Sequence, residues 1–488
     1  MSFRLLGGVI FLAMAMPLPA AQASDNKLPN IVYILTDDQG WGDLAAYGHD
    51  RVKTPHLDAL AREGMLFTQF YAGSPVCSPS RASILSGRFA PETGIHYAIG
   101  GPGGAFLNSR PWFDADQTTL YDVFRDAGYT VGHFGKWHLG GKVDAGTAPP
   151  PEAYGIDVSA TTNSTGAPLR RGAAIVVEDT LGDVDTPNKL PRSDSTQVIV
   201  ENSIDFIAAN KEGPFFVSLW TLEPHSVLDP TPEQMEPYLY YTHPNVVDRL
   251  KSSETVYYAS LTNIDTQIGK LFDYLEAEGL EDNTIVVFTS DNGPSPLWSL
   301  GTGHAGAGQA GPFRGTKGSL YEGGIRVPFI VRWPGQVPAD TINVETVLSS
   351  IDMMATLTGL AGLNAQLPAN DGEDLSAALR TGTGERSSPL FWEYRAGSWG
   401  RDIQRSPRLA MRDGDWKLLM NPDGSRVELY NLARYPDETG NVADYETARL
   451  EIMTQQLMGW YNSKVPDHDK AMPHTGKKSW RSPPLSVE

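Results

Sequence analysis

Ile31-Val32-Tyr33-Ile34-Leu35-Thr36-Asp37-Asp38 decides how this chain is read. Five consecutive apolar residues, most of them β-branched or aromatic, predict a strand buried on both faces. That is the pattern of a parallel sheet covered by helices. The acidic pair then places charge at the strand's C-terminal end. The same grammar recurs three times. Tyr129-Thr130-Val131-Gly132-His133-Phe134 runs into Gly135-Lys136-Trp137-His138. Phe215-Phe216-Val217-Ser218-Leu219-Trp220 is followed by Glu223-Pro224-His225, and Ile285-Val286-Val287-Phe288 by Ser290-Asp291-Asn292-Gly293. In open α/β sheets ligands bind at the edge formed by the carboxyl ends of the strands. Four strands therefore direct ionisable side chains to one candidate site.

Phe329-Ile330-Val331, after Pro328, supplies a fifth strand. Helical patterns separate the strands. Thr54-Pro55 reads as an N-cap with proline at the first helical position, and Leu57, Leu60 and Ala61 share a face. From Ser253 to Glu278, the apolar residues Val256, Leu261, Ile264, Ile268, Leu271 and Leu275 recur at helical spacing, and Gly279 stops the helix. The alternation predicts an α/β fold, a large domain with a mostly parallel central sheet flanked by helices. The stretch from Val143 to Leu190 is rich in Gly, Pro, Thr and Asp and reads as long loops over one face, with a sequon at Asn163-Ser164-Thr165. Gly301 to Gly311 is a second small-residue loop. After Leu360 the texture changes. Arg408 to Met420 reads as a hairpin turning at Asp413-Gly414, Val427 to Leu432 as a strand and Tyr445 to Tyr461 as a helix. The expected division is a leader at 1–23, a large catalytic domain at 24–364 and a smaller C-terminal α+β subdomain with an antiparallel sheet at 365–488.

The chain has 488 residues, and 58 acidic against 39 basic side chains give a net charge of -19. That argues against general nucleic-acid binding, which needs a broad basic surface. It leaves room for an anionic substrate in a local basic pocket. The single cysteine, Cys77, excludes intrachain disulfides and multi-thiolate metal clusters. Arg4, the apolar run Leu5 to Leu18 and Ala21-Gln22-Ala23 make a secretory leader with an A-x-A cleavage site. Pro17 and Pro19 break the run, which is too short for a membrane span. The expected mature protein is exported, periplasmic or secreted. Loss of Arg4 with the leader takes its charge to -20.

Asp37, Asp38, Asp291 and Asn292 offer only oxygen ligands, which suit a hard cation such as calcium or magnesium and not zinc. Each pair alone reads equally well as a turn or helix cap. Cys77 precedes Pro79, Ile84, Leu85 and Gly87 in a pattern that places it at a helix N-terminus, where backbone N–H groups favour anions. On that evidence it is a buried thiol, a reactive thiolate or something else.

Cys77-Ser78-Pro79-Ser80-Arg81 resembles the C-x-P-S-R signature of type I sulfatases. The resemblance extends through Gly87-Arg88, through Asp37-Asp38-Gln39-Gly40-Trp41-Gly42-Asp43 and through Gly135-Lys136-Trp137-His138-Leu139-Gly140. It continues in Gly315-Thr316-Lys317-Gly318-Ser319-Leu320-Tyr321-Glu322-Gly323-Gly324-Ile325-Arg326-Val327-Pro328. It implies an alkaline-phosphatase-like fold and oxidation of Cys77 to formylglycine by a formylglycine-generating maturation enzyme. It also implies one divalent cation, calcium with magnesium in reserve. Asp37, Asp38, Asp291 and Asn292 would hold it with residue 77 beside it, and Arg81, Lys136, His138, His225 and Lys317 would complete the pocket.

The activity so implied is sulfate ester hydrolysis, with aryl sulfates as surrogates and a sulfated oligosaccharide or polysaccharide as the natural substrate, attacked from its end. Lys136 and Lys317 would hold the sulfate oxygens, and Arg81 would steady the hydrated aldehyde that attacks sulfur to give a covalent sulfo-enzyme. His225 or Lys317 would protonate the leaving alcohol, and His138 would deprotonate the remaining hydroxyl. The main alternative is a phosphonate monoester or phosphodiester hydrolase with the same machinery. The complete residue set argues against a decayed sugar-binding protein. His133 sits inside a strand pattern and reads as a core histidine. Trp112 and Trp392 read as core packing, and His304 lies in a loop near the expected mouth.

Overall fold

The computed structural model describes residues 27–100, 108–140, 148–162, 192–241, 252–296, 303–395 and 404–466. The leader at 1–23, the sequon at Asn163 and much of the loop stretch from Val143 to Leu190 lie outside the described residues.

The large sheet contains β1 (Asn30–Thr36), β2 (Met65–Tyr71), β3 (Thr130–Lys136), β4 (Val158–Thr162), β5 (Phe215–Trp220), β6 (Thr284–Ser290), β7 (Arg326–Arg332), β8 (Thr341–Asn343) and β9 (Leu348–Ser349). Its order is β4-β3-β5-β1-β6-β7-β2-β8, with β9 also on β2. From β4 to β6 every pairing is parallel. β7 runs antiparallel to both β6 and β2. All five strands expected from the sequence form. The strand Val158–Thr162 corrects the reading of its stretch as loop, and Met65–Tyr71 was not anticipated.

Period-two alternation in β1 explains the layers. Ile31, Tyr33 and Leu35 enter one core with Ala82, Ile84 and Leu85 of the helix Cys77–Ser86 and with the helices Leu120–Asp126 and Met353–Leu360. Val32 and Ile34 enter the opposite core, which receives Leu57, Leu60 and Ala61 and the expected stripe of the helix Ser253–Ala277. The Thr54 side chain does not cap the helix Pro55–Glu63. Its hydroxyl donates to Asp58 instead, at 3.2 Å.

A second, antiparallel sheet follows in the order β10 (Leu390–Glu393), β11 (Leu409–Asp413), β12 (Trp416–Met420) and β13 (Glu428–Asn431), backed by the helix Thr447–Lys464. The helix Ser376–Thr381, beyond residue 364, packs its Ala378 and Leu379 into the core of the large sheet. Buried ions join the two sheets. Lys417 Nζ lies 2.8 Å from Glu322 Oε1 and 2.9 Å from Glu438 Oε1. Trp392 is core, with its indole N–H donating to the carbonyl of Ala72 at 2.9 Å.

Candidate active site

β3, β5, β1 and β6 lie side by side and parallel, so their C-terminal ends open on one edge. The chain leaves β1 at Asp37, β3 at Trp137, β5 on the way to His225 and β6 at Asp291. The helix Cys77–Ser86 enters the same edge by its N-terminus, and Gly87, at φ +65°, ends it. One ligand atom each from Asp37, Asp38, Cys77 and Asp291 falls within 4.8 Å of the others, and all four residues are buried. The sequence-predicted residues therefore converge.

The geometry around Cys77 is polar and crowded. Its Sγ lies 3.5 Å from Asp37 Oδ1 and 3.8 Å from Asp38 Oδ1, and Lys317 Nζ approaches it to 3.2 Å. Lys317 also donates to both oxygens of Asp38, at 2.6 and 2.8 Å. Gly315 and Gly318 flank it at φ +91° and +80°, a left-handed path that glycine follows without steric cost. Lys136 Nζ donates to Asp37 Oδ2 at 2.6 Å. Arg81 donates through Nε and Nη2 to Asp291 Oδ2, at 2.9 and 2.8 Å, and through Nη1 to the Lys136 carbonyl at 3.0 Å. Three carboxylates thus face three cations.

Burial pushes the Cys77 thiol up to about 12, even with Lys136 and Lys317 nearby. A thiol so held is a poor nucleophile. Burial also raises the Asp37 carboxyl, but Lys136, His225, Arg81 and Lys317 together hold it well below the usual range. Burial tends to lower Lys317, and Asp38 more than offsets this and keeps it charged. Asp291 rises to about 6, because burial outweighs Arg81.

Two histidines adjoin this cluster through different partners. Both Asp38 and His138 adopt left-handed backbone, at φ +64° and +54°, strain of the kind that persists where surrounding contacts enforce it. Ser78 is part of that enforcement, donating from Oγ to the His138 carbonyl at 2.7 Å. His138 Nε2 faces the Ile99 carbonyl at 2.9 Å, which places its proton there. Nδ1 is buried with no partner among the described residues and keeps its lone pair available. Burial, Lys136 and Arg81 hold this ring neutral. His225 is the most open of the set, its side chain 21% exposed, with Nε2 3.7 Å from Asp38 Oδ2. Nδ1 faces the Ser226 carbonyl at 2.8 Å. Burial first and Lys317 second lower it to about 4.

The donor set fits a hard cation. Asp37, Asp38 and Asp291 supply carboxylate oxygens. Asn292 turns its Nδ2 to Asp38 Oδ1 at 2.8 Å and leaves its side-chain Oδ1 buried with no partner among the described residues. A buried acceptor without a protein partner beside three carboxylates fits an oxygen-coordinated ion.

Sequence comparison agrees with this geometry. The Sulfatase family model matches residues 29–363, and a model described as N-sulphoglucosamine sulphohydrolase, C-terminal, matches 313–461. The chain belongs to the sulfatase family. This sulfatase is 29% identical over 512 residues to an N-acetylgalactosamine-6-O-sulfatase of Bacteroides thetaiotaomicron, with 89% of this chain and 93% of that protein covered. It is 31% identical over 434 residues to human arylsulfatase A, covering 85% and 78%. Among solved structures, Ps i-CgsB in complex with k-i-k-neocarrahexaose superposes with a TM-score of 0.71 at 24% identity, over 92% of this chain and 95% of that one. The large domain has the alkaline-phosphatase-like fold, and the enzyme is a sulfuric ester hydrolase.

Several residues that support the site of this sulfatase are given no role by the sequence, although Asp43 and Ser78 lie within its motifs. Ser295 donates from Oγ to Asp38 Oδ2 at 2.6 Å. Asp43 pins the turn after β1 by accepting from the backbone N–H of Gly40 and of Gln309 and from the Tyr257 hydroxyl. Ser78 occupies the variable position of its motif. Only the fold brings these together. His304, in the short helical turn Gly303–Ala307, contacts Ser253 Oγ at 3.3 Å. His96 lies 3.9 Å from Glu393.

Proposed function

We propose that this sulfatase removes sulfate from the end of a sulfated carbohydrate, with Cys77 matured to formylglycine and calcium, or magnesium in its place, as the cation. The observation that carries the reading is the buried cluster of Asp37, Asp38, Cys77 and Asp291 ringed by Lys136, Lys317 and Arg81. Three carboxylates balance three cations, so a divalent ion leaves the cluster net positive and ready for a sulfate monoanion. Asp37, Asp38, Asp291 and Asn292 Oδ1 would hold the ion, which would supply Lewis-acid polarisation of sulfate oxygens. A hydrated aldehyde at position 77 supplies one oxygen for attack on sulfur and a second hydroxyl whose ionisation allows sulfate to leave.

The chain's own residues divide the remaining work. Lys136 and Lys317 bind the non-bridging oxygens from two sides. Arg81, fixed by Asp291 and the Lys136 carbonyl, orients residue 77. His138 accepts a proton at Nδ1, where its lone pair is available. His225, at the open side, hands a proton from Nε2 to the departing alcohol. The negative charge of bound sulfate raises its proton affinity when it is needed. Cys77 is 1% exposed, so a chain end or a small ester fits the site better than the middle of a polymer. The carbohydrate reading is supported by the named activity of the Bacteroides relative. The protein is read as exported, to the periplasm or beyond, after maturation by a formylglycine-generating enzyme.

Release of sulfate from a panel of defined sulfated oligosaccharides, with a phenyl phosphonate and an aryl sulfate run beside them, tests the proposal. Turnover on terminal sulfated sugars well above that on the phosphonate is expected. A preference for the phosphonate would overturn it.

A further inference from the structure

His133 is packed as a core residue, fully buried on β3. Its neighbours make it more than filler. In the sheet, Tyr33 of β1, Ser218 of β5 and His133 of β3 stand in register. The Tyr121 hydroxyl lies 2.9 Å from His133 Nδ1 and 2.8 Å from Ser218 Oγ. On the other side of the ring, Nε2 lies 3.4 Å from the Lys136 carbonyl oxygen. That is the oxygen to which Arg81 Nη1 donates at 3.0 Å. The ring also stands edge-on to Trp220, centroids 4.7 Å apart, and the Arg81 guanidinium lies 5.1 Å from the same Trp220 ring.

Among the described residues Arg81 is therefore held by four contacts: the Asp291 carboxylate, the Asp37 carboxylate at 3.7 Å, the Lys136 carbonyl and the Trp220 face. His133 touches two of the four. The proton count fixes how. Burial keeps His133 neutral, with its pKa lowered to about 3, so it carries one ring proton. Were that proton on Nδ1, the Nε2 lone pair would face the Lys136 carbonyl, acceptor against acceptor. With the proton on Nε2 the carbonyl gains a donor, and Nδ1 competes with Ser218 Oγ for the single proton of the Tyr121 hydroxyl.

We propose that His133 is a positioning residue for sulfate ester hydrolysis. Held in the Nε2–H tautomer by the Lys136 carbonyl, it contacts that carbonyl and the Trp220 ring, and through them sets the Arg81 guanidinium against residue 77. This rests on the reading that Arg81 and Lys136 serve the sulfate ester. Misplacement of a catalytic group by about 1 Å costs on the order of 10²-fold in rate, and a slackened contact costs less.

The test compares His133→Phe, which keeps an aromatic ring and loses both hydrogen bonds, with His133→Gln, whose Nε2 can reach the same carbonyl. Turnover of an aryl sulfate is normalised to the aldehyde content at position 77. For His133→Phe, kcat should fall about tenfold with KM within about twofold, and its crystal structure should show the Arg81 guanidinium displaced. For His133→Gln most of kcat should return. Tyr121→Phe should fall between the two, since it removes the hydroxyl beside Nδ1 and leaves Nε2 in place. Full kcat per aldehyde in His133→Phe, or equal losses in Phe and Gln with Arg81 unmoved, would overturn the assignment. Lys136→Ala is the control for the underlying reading. If it keeps full turnover, the site reading fails. If it is inactive while His133→Phe is fully active, only the role of His133 fails.

Discussion

The Lys317 amine lies 3.2 Å from the Cys77 sulfur while holding both oxygens of Asp38. One side chain thus ties the residue to be oxidised to an expected cation ligand. A cation this close ordinarily activates a thiol. Here burial wins, and the Cys77 thiol is pushed up to about 12. At neutral pH an unmodified Cys77 is protonated and inert. Active enzyme should therefore carry an aldehyde or its hydrate at position 77 by peptide mass spectrometry. Cys77→Ala should lose nearly all turnover with little change in Tm, because truncating one small side chain removes little packing. Activity in a preparation holding only the thiol would refute this.

The cation site gives a second prediction. Asn292 contributes a side-chain Oδ1 with no partner among the described residues and one hydrogen bond to Asp38. Asn292→Ala should weaken calcium binding by about tenfold or more and lower kcat. Asp291→Ala should do more harm, because it strands the buried Arg81 guanidinium, and breaking such a pair costs about 3–5 kcal/mol. Chelation should abolish activity, and calcium should restore it better than zinc does. Elemental analysis showing stoichiometric zinc without calcium or magnesium would overturn the oxygen-site reading.

The strand ends were legible because each is bracketed by strong local signals. Ile31 to Leu35 and Ile285 to Phe288 are continuous apolar runs, and the polar residues after them have no competing role in a core. Met65–Tyr71 is not legible as a strand because Thr68 and Gln69 interrupt it, and the pairing shifts register there, between Phe67 and Phe70. Val158–Thr162 is an edge strand of small and hydroxylated residues, so its own sequence states no burial. The direction of β7 is not in its residues at all. It is set by the short helical turn Glu322–Ile325, which delivers the chain to the far side of β6. Cys77, Arg81 and Lys317 are legible as site residues from motifs, whereas the roles of Ser78, Ser295 and Asp43 depend on contacts distant in sequence, to His138, Asp38, and Tyr257 and Gln309.

The joint between the two sheets should be pH-sensitive. Glu438 lies buried between Lys417 and Glu322. Burial raises it to about 7, although Lys417 opposes the shift. An acid whose folded pKa exceeds its unfolded value near 4.5 binds an extra proton in the folded state between those values. Its contribution is complete below pH 4.5 and is lost as pH rises through 7. Glu438→Gln removes this titration, so its Tm should fall less than that of the wild type between pH 5 and 8. Parallel Tm curves for the two proteins would show that Glu438 does not titrate there.

The last prediction concerns salt. The sulfatase carries a net charge of -19, so a sulfated polymer is repelled at long range. The cations that bind sulfate cannot compensate at a distance, because Lys136, Arg81 and Lys317 are all buried and each is already matched by Asp37, Asp291 or Asp38. Attraction must come at contact, within the pocket. Added salt screens exposed charges beyond about 10 Å at 0.1 M and hardly touches buried pairs. For a sulfated oligosaccharide, kcat/KM should therefore hold or rise as ionic strength goes from about 0.02 to 0.2 M, spanning that screening length. A small aryl sulfate, with one charge and no polyanionic body, should respond less. Lys317→Ala should depress both substrates by about 10²-fold or more, since it removes an oxyanion donor common to both. A steep fall in the oligosaccharide rate with salt would reveal an exposed basic groove, and the contact-only account of recognition would have to be abandoned.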